Sequence, residues 1–401
     1  MAKKLRVDQL KVGMYVTELD CGWMDHPFLV GSFKIKDEKA LTKVLNSGIK
    51  TAYIDPTKGV DIVEEPEKKI DGGKSKAEAM VTKSPKAEEK VVRKVNGKDE
   101  AARASAIYKE ATGVIRHMME DVRLGKQVTM EAVDPLAERM IQSVIRNQHA
   151  FSGISRIKTK DEYTFMHCVS VAGLMVTFAK ALDLGDKVMH QVAIGGLIHD
   201  VGKIMVPDNV LNKPGKLSDE EFVVMKDHVT HSGQILADTL GLSSIAKDVA
   251  MLHHERIDGS GYPLGLAGDD ISLIGKMSAI VDVYDALTSV RVYKDAWDPA
   301  ETLKKMLEWC PKQFDRLLME KFIECLGIYP VGTLVELESG KLAIVTDQGE
   351  EMLKPKLRVI YSVKKQCYVQ VTDMDLAKQQ NDRIISSVLP AKYKIDMNAF
   401  L

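Results

Sequence analysis

Apolar positions along the chain change period three times. Near the start, residues 5–19 and 28–35 show the apolar and β-branched texture of strands, punctuated by Gly13 and Gly31. A short helical pattern over 37–46 is stopped by Gly48, and 49–55 reads as a returning strand. Together these predict a small αβ module. From Ala101 the period becomes helical: Ile107, Tyr108, Ala111, Val114, Ile115, Met118, Met119 and Val122 recur at three- and four-residue steps. Val133, Leu136, Met140, Ile141, Val144 and Ile145 continue it in a second helix. Further helices are expected over 161–182, 186–200, 218–239, 243–254, 271–289, 298–309 and 315–326, separated by Gly and Pro turns. After Pro330 the texture returns to strands, at 333–338, 341–346, 356–363 and 367–372, with Ser339-Gly340 as a hairpin turn. No internal repeat stands out.

The predicted fold class is therefore mainly α. It comprises a small αβ accessory module (1–62), a charged linker (63–100), a helical domain (101–330, core 150–330) and a small β-rich C-terminal appendage (331–401). The linker assignment rests on composition. Residues 64–100 hold ten Lys/Arg and nine Asp/Glu, with no aromatic between Tyr53 and Tyr108, too little to build a core.

Charge narrows the function. Over 401 residues, 56 Lys+Arg face 57 Asp+Glu, a net charge of -1 that disfavours any role based on bulk attraction to a polyanion. No direct nucleic-acid partner is expected. The N-terminus lacks the apolar run of an export signal, and no membrane span is read from the hydropathy pattern. The five cysteines are widely spaced and never form a CxxC pair, as expected for reduced thiols in a cytoplasmic protein. Cys21, Trp23 and His26 lie close together in the first module and read as structural or interaction residues rather than a site.

The chemistry is concentrated in the helical domain: His167, His199, Asp200, Lys203, His228, His253, His254, Asp282 and Asp285 include five of the ten histidines. His199 and Asp200 follow an apolar helix, and as neighbours they diverge by about 100°, so they can reach two metals from one backbone position. Asp200 is the natural bridge. Lys203, one turn on, would place its ammonium over the same site. A His/carboxylate set without thiolate suits iron, manganese or zinc, and paired metals are a standard device for phosphodiester hydrolysis.

These residues stand in a pattern that resembles the HD-GYP subgroup of the HD phosphohydrolases. It comprises His199-Asp200-Val201-Gly202-Lys203-Ile204, Pro207-Asp208, the stretch Leu211 to Leu217, His253-His254-Glu255-Arg256-Ile257-Asp258-Gly259-Ser260-Gly261-Tyr262-Pro263, the stretch Asp282 to Ser289, and Arg291-Val292-Tyr293-Lys294. The resemblance covers about residues 150–330 and implies a metal-dependent phosphodiesterase that cleaves cyclic di-GMP to linear pGpG, GMP or both. It implies metal ligation by His167, His199, His228, His253, His254 and Asp282, with Asp200 bridging and Lys203 above the cluster. Tyr262, Asp285, Arg291 and Lys294 would contact the substrate. Asp258, Gly259, Gly261 and Pro263 would shape the loop, with Glu255 and Arg256 orienting ligands and loop. Members with three metals carry glutamate four residues before the first histidine; Tyr163 stands there, so two divalent metals, iron or manganese, are expected. Lys276 and Arg316 are further departures, assigned to helix packing. A homodimer contact or a signalling partner would use the N-terminal module. The competing readings are hydrolysis of another cyclic dinucleotide or nucleotide phosphate ester, and a non-catalytic receptor for cyclic di-GMP. Loss of a ligand would mark the receptor, and none is lost.

Overall fold

The structure is a computed structural model that describes residues 3–19, 33–45, 51–56, 58–59, 97–151, 162–289, 296–379 and 381–400. Cys21, Trp23, His26, Gly48, most of the charged linker, Arg291 and Lys294 lie outside them. The chain divides into two units, Met1–Lys90 and Val91–Leu401.

In the first unit, strands β1 (Lys3–Arg6), β2 (Tyr15–Leu19), β3 (Phe33–Lys34) and β4 (Thr51–Ile54) form an antiparallel sheet in the order β1-β4-β2-β3, with helix α1 (Glu38–Leu45) between β3 and β4. The expected single strand over 5–19 is broken. A 3-10 turn at Val7–Gln9 follows β1, and Gly13 takes a φ of 97° while its N–H donates to the Ile35 carbonyl at 2.7 Å. That left-handed conformation is open mainly to glycine. The turn sets β1 and β2 on opposite edges of β4, and Leu5, Leu10, Met14, Val16, Ile35, Val44 and Ile54 close a small core.

The second unit begins with helices α2 (Gly97–Arg123) and α3 (Met130–Arg146). After them come α4 (Tyr163–Ala181), α5 (Gly185–Ile198), α6 (Asp219–Ala237), α7 (Ser244–Leu252), α8 (Leu273–Thr288), α9 (Pro299–Glu308) and α10 (Arg316–Leu326). All coincide with the periodic segments to within a few residues. The amphipathic helices α2 and α3 turn one face to a shared core, whereas α4 is apolar on nearly every side and lies at the centre. Its length and mean hydropathy of 1.3 would suit a membrane span, but 72% of that window is buried among the other helices.

Tyr108 of α2 donates from its hydroxyl to the Met166 carbonyl at 2.8 Å, which ties the first helix to the backbone just before His167. The boundary of the linker moves accordingly. Gly97 to Glu100 are helical, and buried Glu100 accepts hydrogen bonds from Ser143 at 2.7 Å and from Arg146 at 2.6 and 2.9 Å. Composition misses this because a buried carboxylate is held by partners more than 40 residues away. A fragment beginning at Val91 should fold and keep hydrolytic activity. One beginning at Ala101 loses this carboxylate and should melt several degrees lower; equal melting temperatures would show that the cluster adds nothing.

The C-terminal strands β5 (Leu334–Leu337), β6 (Lys341–Asp347), β7 (Lys356–Ser362), β8 (Cys367–Asp375) and β9 (Ile384–Ser387) form an antiparallel sheet ordered β8-β7-β6-β5-β9. The sequence pattern omits β9, a short Ile-Ile-Ser-Ser segment made a strand by its pairing with β5. Both faces of the sheet carry apolar clusters, one around Val335, Ala343, Val345 and Leu357, the other around Leu342, Ile344 and Ile360. The sheet is tethered to the helices: Gln348 donates to the Leu326 and Tyr329 carbonyls at 3.0 and 2.9 Å, and Ser387 donates to Asp298 at 2.6 Å.

Candidate metal centre

Five helices deliver donors to one buried point. His167 comes from the second turn of α4. His199 caps the C-terminus of α5, and Asp200 starts the 3-10 turn Val201–Met205. His228 projects from α6, His253 caps the C-terminus of α7 with His254 following, and Asp282 and Asp285 share one face of α8. Two glycines permit this convergence. A Cβ on Gly196 would fall 2.5 Å from the Ala172 Cα, so α5 can press on α4 only without it. A Cβ on Gly202 would fall 2.1 Å from the His228 carbonyl oxygen. There the Gly202 N–H donates to Ser232 Oγ at 2.9 Å, and that hydroxyl donates to the His199 carbonyl at 2.9 Å, latching the His-Asp turn to α6.

The donors fall into two sets, His167 with His199 and Asp282, and His228 with His253 and His254, each with ligand atoms within 4.8 Å of one another. Asp200 lies between them. Its Oδ2 is 3.4 Å from His199 Nε2 and 3.7 Å from His167 Nε2, while its Oδ1 is 3.4 Å from His228 Nε2 and 3.9 Å from His253 Nε2. One carboxylate thus addresses both sets.

The imidazoles are held for ligation. The Nδ1 atoms of His199, His228 and His253 face the carbonyl oxygens of Gly196, Met225 and Ala250 at 2.8, 2.6 and 2.9 Å. A nitrogen against a carbonyl must donate, so in the neutral ring each Nε2 turns its lone pair toward the centre. His228 and His253 then bring two such nitrogens within 3.4 Å of each other, an arrangement that a cation relieves. His199 Nε2 and Asp200 Oδ1 are buried without a hydrogen-bond partner, a costly condition unless an electrophile occupies the space. The donor set therefore fits divalent metal.

Electrostatics agree. Burial alone would raise the pKa of Asp200, but Lys203, His199 and His228 hold it well below the usual carboxylate range. Lys203 Nζ is 2.5 Å from Asp200 Oδ2. Burial also disfavours the protonated forms of His228 and His253, and His254 is pushed down to about 3 by burial and the cationic groups around it. His199 departs from this pattern: burial lowers its pKa, yet Asp200 and Cys168 outweigh it, so a metal would displace a proton there.

Asp285, expected to contact substrate, is buried, and its Oδ2 lies 2.6 Å from His167 Nδ1, while His167 Nε2 faces Asp282 Oδ1 at 2.9 Å. A carboxylate behind a ligating histidine fixes ring orientation and raises its basicity. Asp285→Asn should accordingly weaken metal affinity by about 10- to 100-fold. Unchanged metal titration with a raised KM would return Asp285 to the substrate.

The loop after α7 also takes shape. Glu255, buried, accepts from the Leu264 and Leu266 N–H groups at 2.7 and 3.1 Å and so ties down the loop. Arg256 instead is exposed. Asp258 caps the turn through the Ser260 backbone and hydroxyl at 3.0 and 2.6 Å. Gly259 takes a φ of 77°, and a Cβ on Gly261 would meet the Arg256 nitrogen at 2.4 Å. Tyr262, joined to Pro263 by a cis peptide bond, lays its ring 4.7 Å from that of His254; burial and the nearby Asp282 and Asp200 carboxylates keep its phenol protonated. Tyr163 stacks on His167 at 5.7 Å. Lys276 and Arg316 pair with Asp269 and Glu320 at 3.2 and 2.9 Å, away from the donors.

One neighbour escaped the sequence reading. The buried Cys168 sulfur lies within 4.8 Å of donor atoms of His199 and Asp200. Its place directly after His167 gives no hint of this, since adjacent helical residues point about 100° apart.

Fold and donor set define a metal-dependent HD-domain hydrolase, and the HD domain family is matched over residues 136–318. The chain belongs to the HD-domain cyclic di-GMP phosphodiesterase family. It is 38% identical over 388 residues to cyclic di-GMP phosphodiesterase PA4108 of Pseudomonas aeruginosa, which covers 96% of this chain and 92% of that protein. It is also 36% identical over 169 residues to 3'3'-cGAMP-specific phosphodiesterase 2 of Vibrio cholerae, covering 42% of this chain and 32% of that one. Residues 2–133 match a domain of unknown function, DUF3391. Among solved structures, Bd1817, an HDG"Y"P protein from Bdellovibrio bacteriovorus, superposes with a TM-score of 0.49 at 17% identity, over 81% of this chain and 99% of that one.

Proposed function

We propose that the protein hydrolyses cyclic di-GMP to linear pGpG, GMP or both, acting in the cytoplasm. The observation that carries this is the pair of His/carboxylate donor sets bridged by the two oxygens of Asp200, in a chain that matches a cyclic di-GMP phosphodiesterase almost end to end. His167, His199 and Asp282 would hold one metal, His228, His253 and His254 a second, with Asp200 shared. Bound divalent metals supply Lewis-acid stabilisation of the phosphoryl oxygens and activation of water. Nitrogen and oxygen donors favour iron or manganese, and the stacking of Tyr163 on His167 where three-metal relatives carry glutamate favours two ions.

The chain's own groups do the rest. Asp200 and Lys203 pair at the mouth of the cluster, so the ammonium is placed to meet charge growing on a phosphoryl oxygen. Tyr262 offers its phenol O–H to the substrate, and Arg291 and Lys294 are assigned to the phosphates. The N-terminal unit has its own core and contributes no donor among its described residues, which supports a role in receiving a signal, through a second copy or a signalling protein. Similarity to a 3'3'-cGAMP-specific enzyme favours a second reading, another cyclic dinucleotide. Anaerobically prepared, metal-loaded protein should turn over cyclic di-GMP at a higher kcat/KM than 3'3'-cGAMP. The reverse ranking would establish the second reading, and absence of turnover with metal bound would leave a receptor.

A further inference from the structure

Helix α6 does more than supply His228. One turn apart on its N-terminal half, Phe222 and Lys226 share a face, and both meet Tyr262. The Phe222 and Tyr262 rings stand edge to face with centroids 6.5 Å apart, and Lys226 Nζ lies 5.4 Å from the Phe222 centroid and 5.8 Å from the Tyr262 centroid. Tyr262 in turn packs on the metal-donor His254. Phe222 is 48% exposed, an aromatic left open to solvent beside a buried polar centre. Neither Phe222 nor Lys226 is explained by the donor geometry, by the hydrophobic core or by the phosphate contacts already assigned.

We infer that Phe222 and Lys226 form a guanine-selective subsite for the base next to the scissile phosphate, with Phe222 supplying a stacking face and Lys226 the hydrogen-bond donor. The chemistry is specific. Aromatic faces accept any base, but an ammonium carries donors only, and guanine presents two acceptors, O6 and N7, on one edge where adenine replaces O6 with an amino donor. A cation poised over two rings next to the reacting centre thus reads guanine against adenine. This rests on the proposed purine-dinucleotide substrate and adds which end of the site recognises the base.

The test uses hydrolysis of bis(p-nitrophenyl) phosphate by the full-length metal-loaded protein, with GMP and AMP as competitive inhibitors. The readout is the ratio of the two inhibition constants, in which changes in basal turnover cancel. The unmodified protein should bind GMP more tightly than AMP. Lys226→Met should cost GMP about tenfold in affinity and AMP little, and Lys226→Arg should restore the preference, since a guanidinium also reaches O6 and N7. Phe222→Leu should weaken both nucleotides together, by about tenfold, with the ratio kept. No preference in the unmodified protein, an equal loss of GMP and AMP on Lys226→Met, or unchanged constants for Phe222→Leu would each overturn the subsite. Turnover of cyclic di-GMP itself is scored separately, so failure of the substrate assignment is distinguishable from failure of the base contact.

Discussion

Asp200→Ala should strip the protein of bound transition metal and lower hydrolysis of cyclic di-GMP on the order of 10³-fold or more, the scale of several kcal/mol of lost charge stabilisation. The reason is geometric. This carboxylate faces two nitrogens of each donor set, through Oδ2 on one side and Oδ1 on the other. Its removal leaves the imidazole nitrogens of His199, His228 and His253 without the anion that would offset the charge of bound metal. Metal analysis beside circular dichroism checks it: a folded variant retaining both metal and turnover would end the bridging assignment. Asp200→Asn keeps the volume and one acceptor oxygen but removes the negative charge, so it should lose less metal than the alanine variant.

Lys203→Ala should lower kcat by about 10² to 10³ while metal content stays near that of the unmodified protein. An ammonium has no lone pair to offer a cation, so Lys203 holds no metal directly. It lies 2.5 Å from Asp200 Oδ2, beside the donor cluster, where by the proposed function its charge would meet a phosphoryl oxygen. An interaction made only as charge develops shows in kcat rather than KM. An unchanged kcat would exclude the role. Loss of metal with the side chain would instead make Lys203 a support for Asp200.

Legibility in the sequence followed the range of the forces involved. The helices were readable because each needs only its own apolar stripe, and the periodic positions over 101–326 became α2 to α10 with small shifts at the ends. Donor residues were readable because rare side chains stand at fixed spacing around helix ends: His199-Asp200 and His253-His254 each follow an apolar helix. Errors lay where a residue's state depends on distant partners. Glu100, read as linker, is a buried carboxylate because Ser143 and Arg146 reach it. The apparent strand over 5–19 splits because Gly13 bonds to Ile35. Strand β9 exists through its pairing with β5.

By itself, the sequence determined the succession of modules, the helical character of the catalytic domain and the list of groups able to bind metal, all properties carried by local period and residue type. Only the tertiary structure decided how those groups are divided: two sets of three donors with Asp200 between them, Asp285 against His167, Cys168 beside His199, and Phe222 with Lys226 at the ring of Tyr262. Helix spacing fixes the direction of a side chain relative to its own axis. Which neighbour it meets depends on how closely α4, α5 and α6 can approach, and that is set by the missing Cβ atoms of Gly196 and Gly202 and by the packing of the core around them.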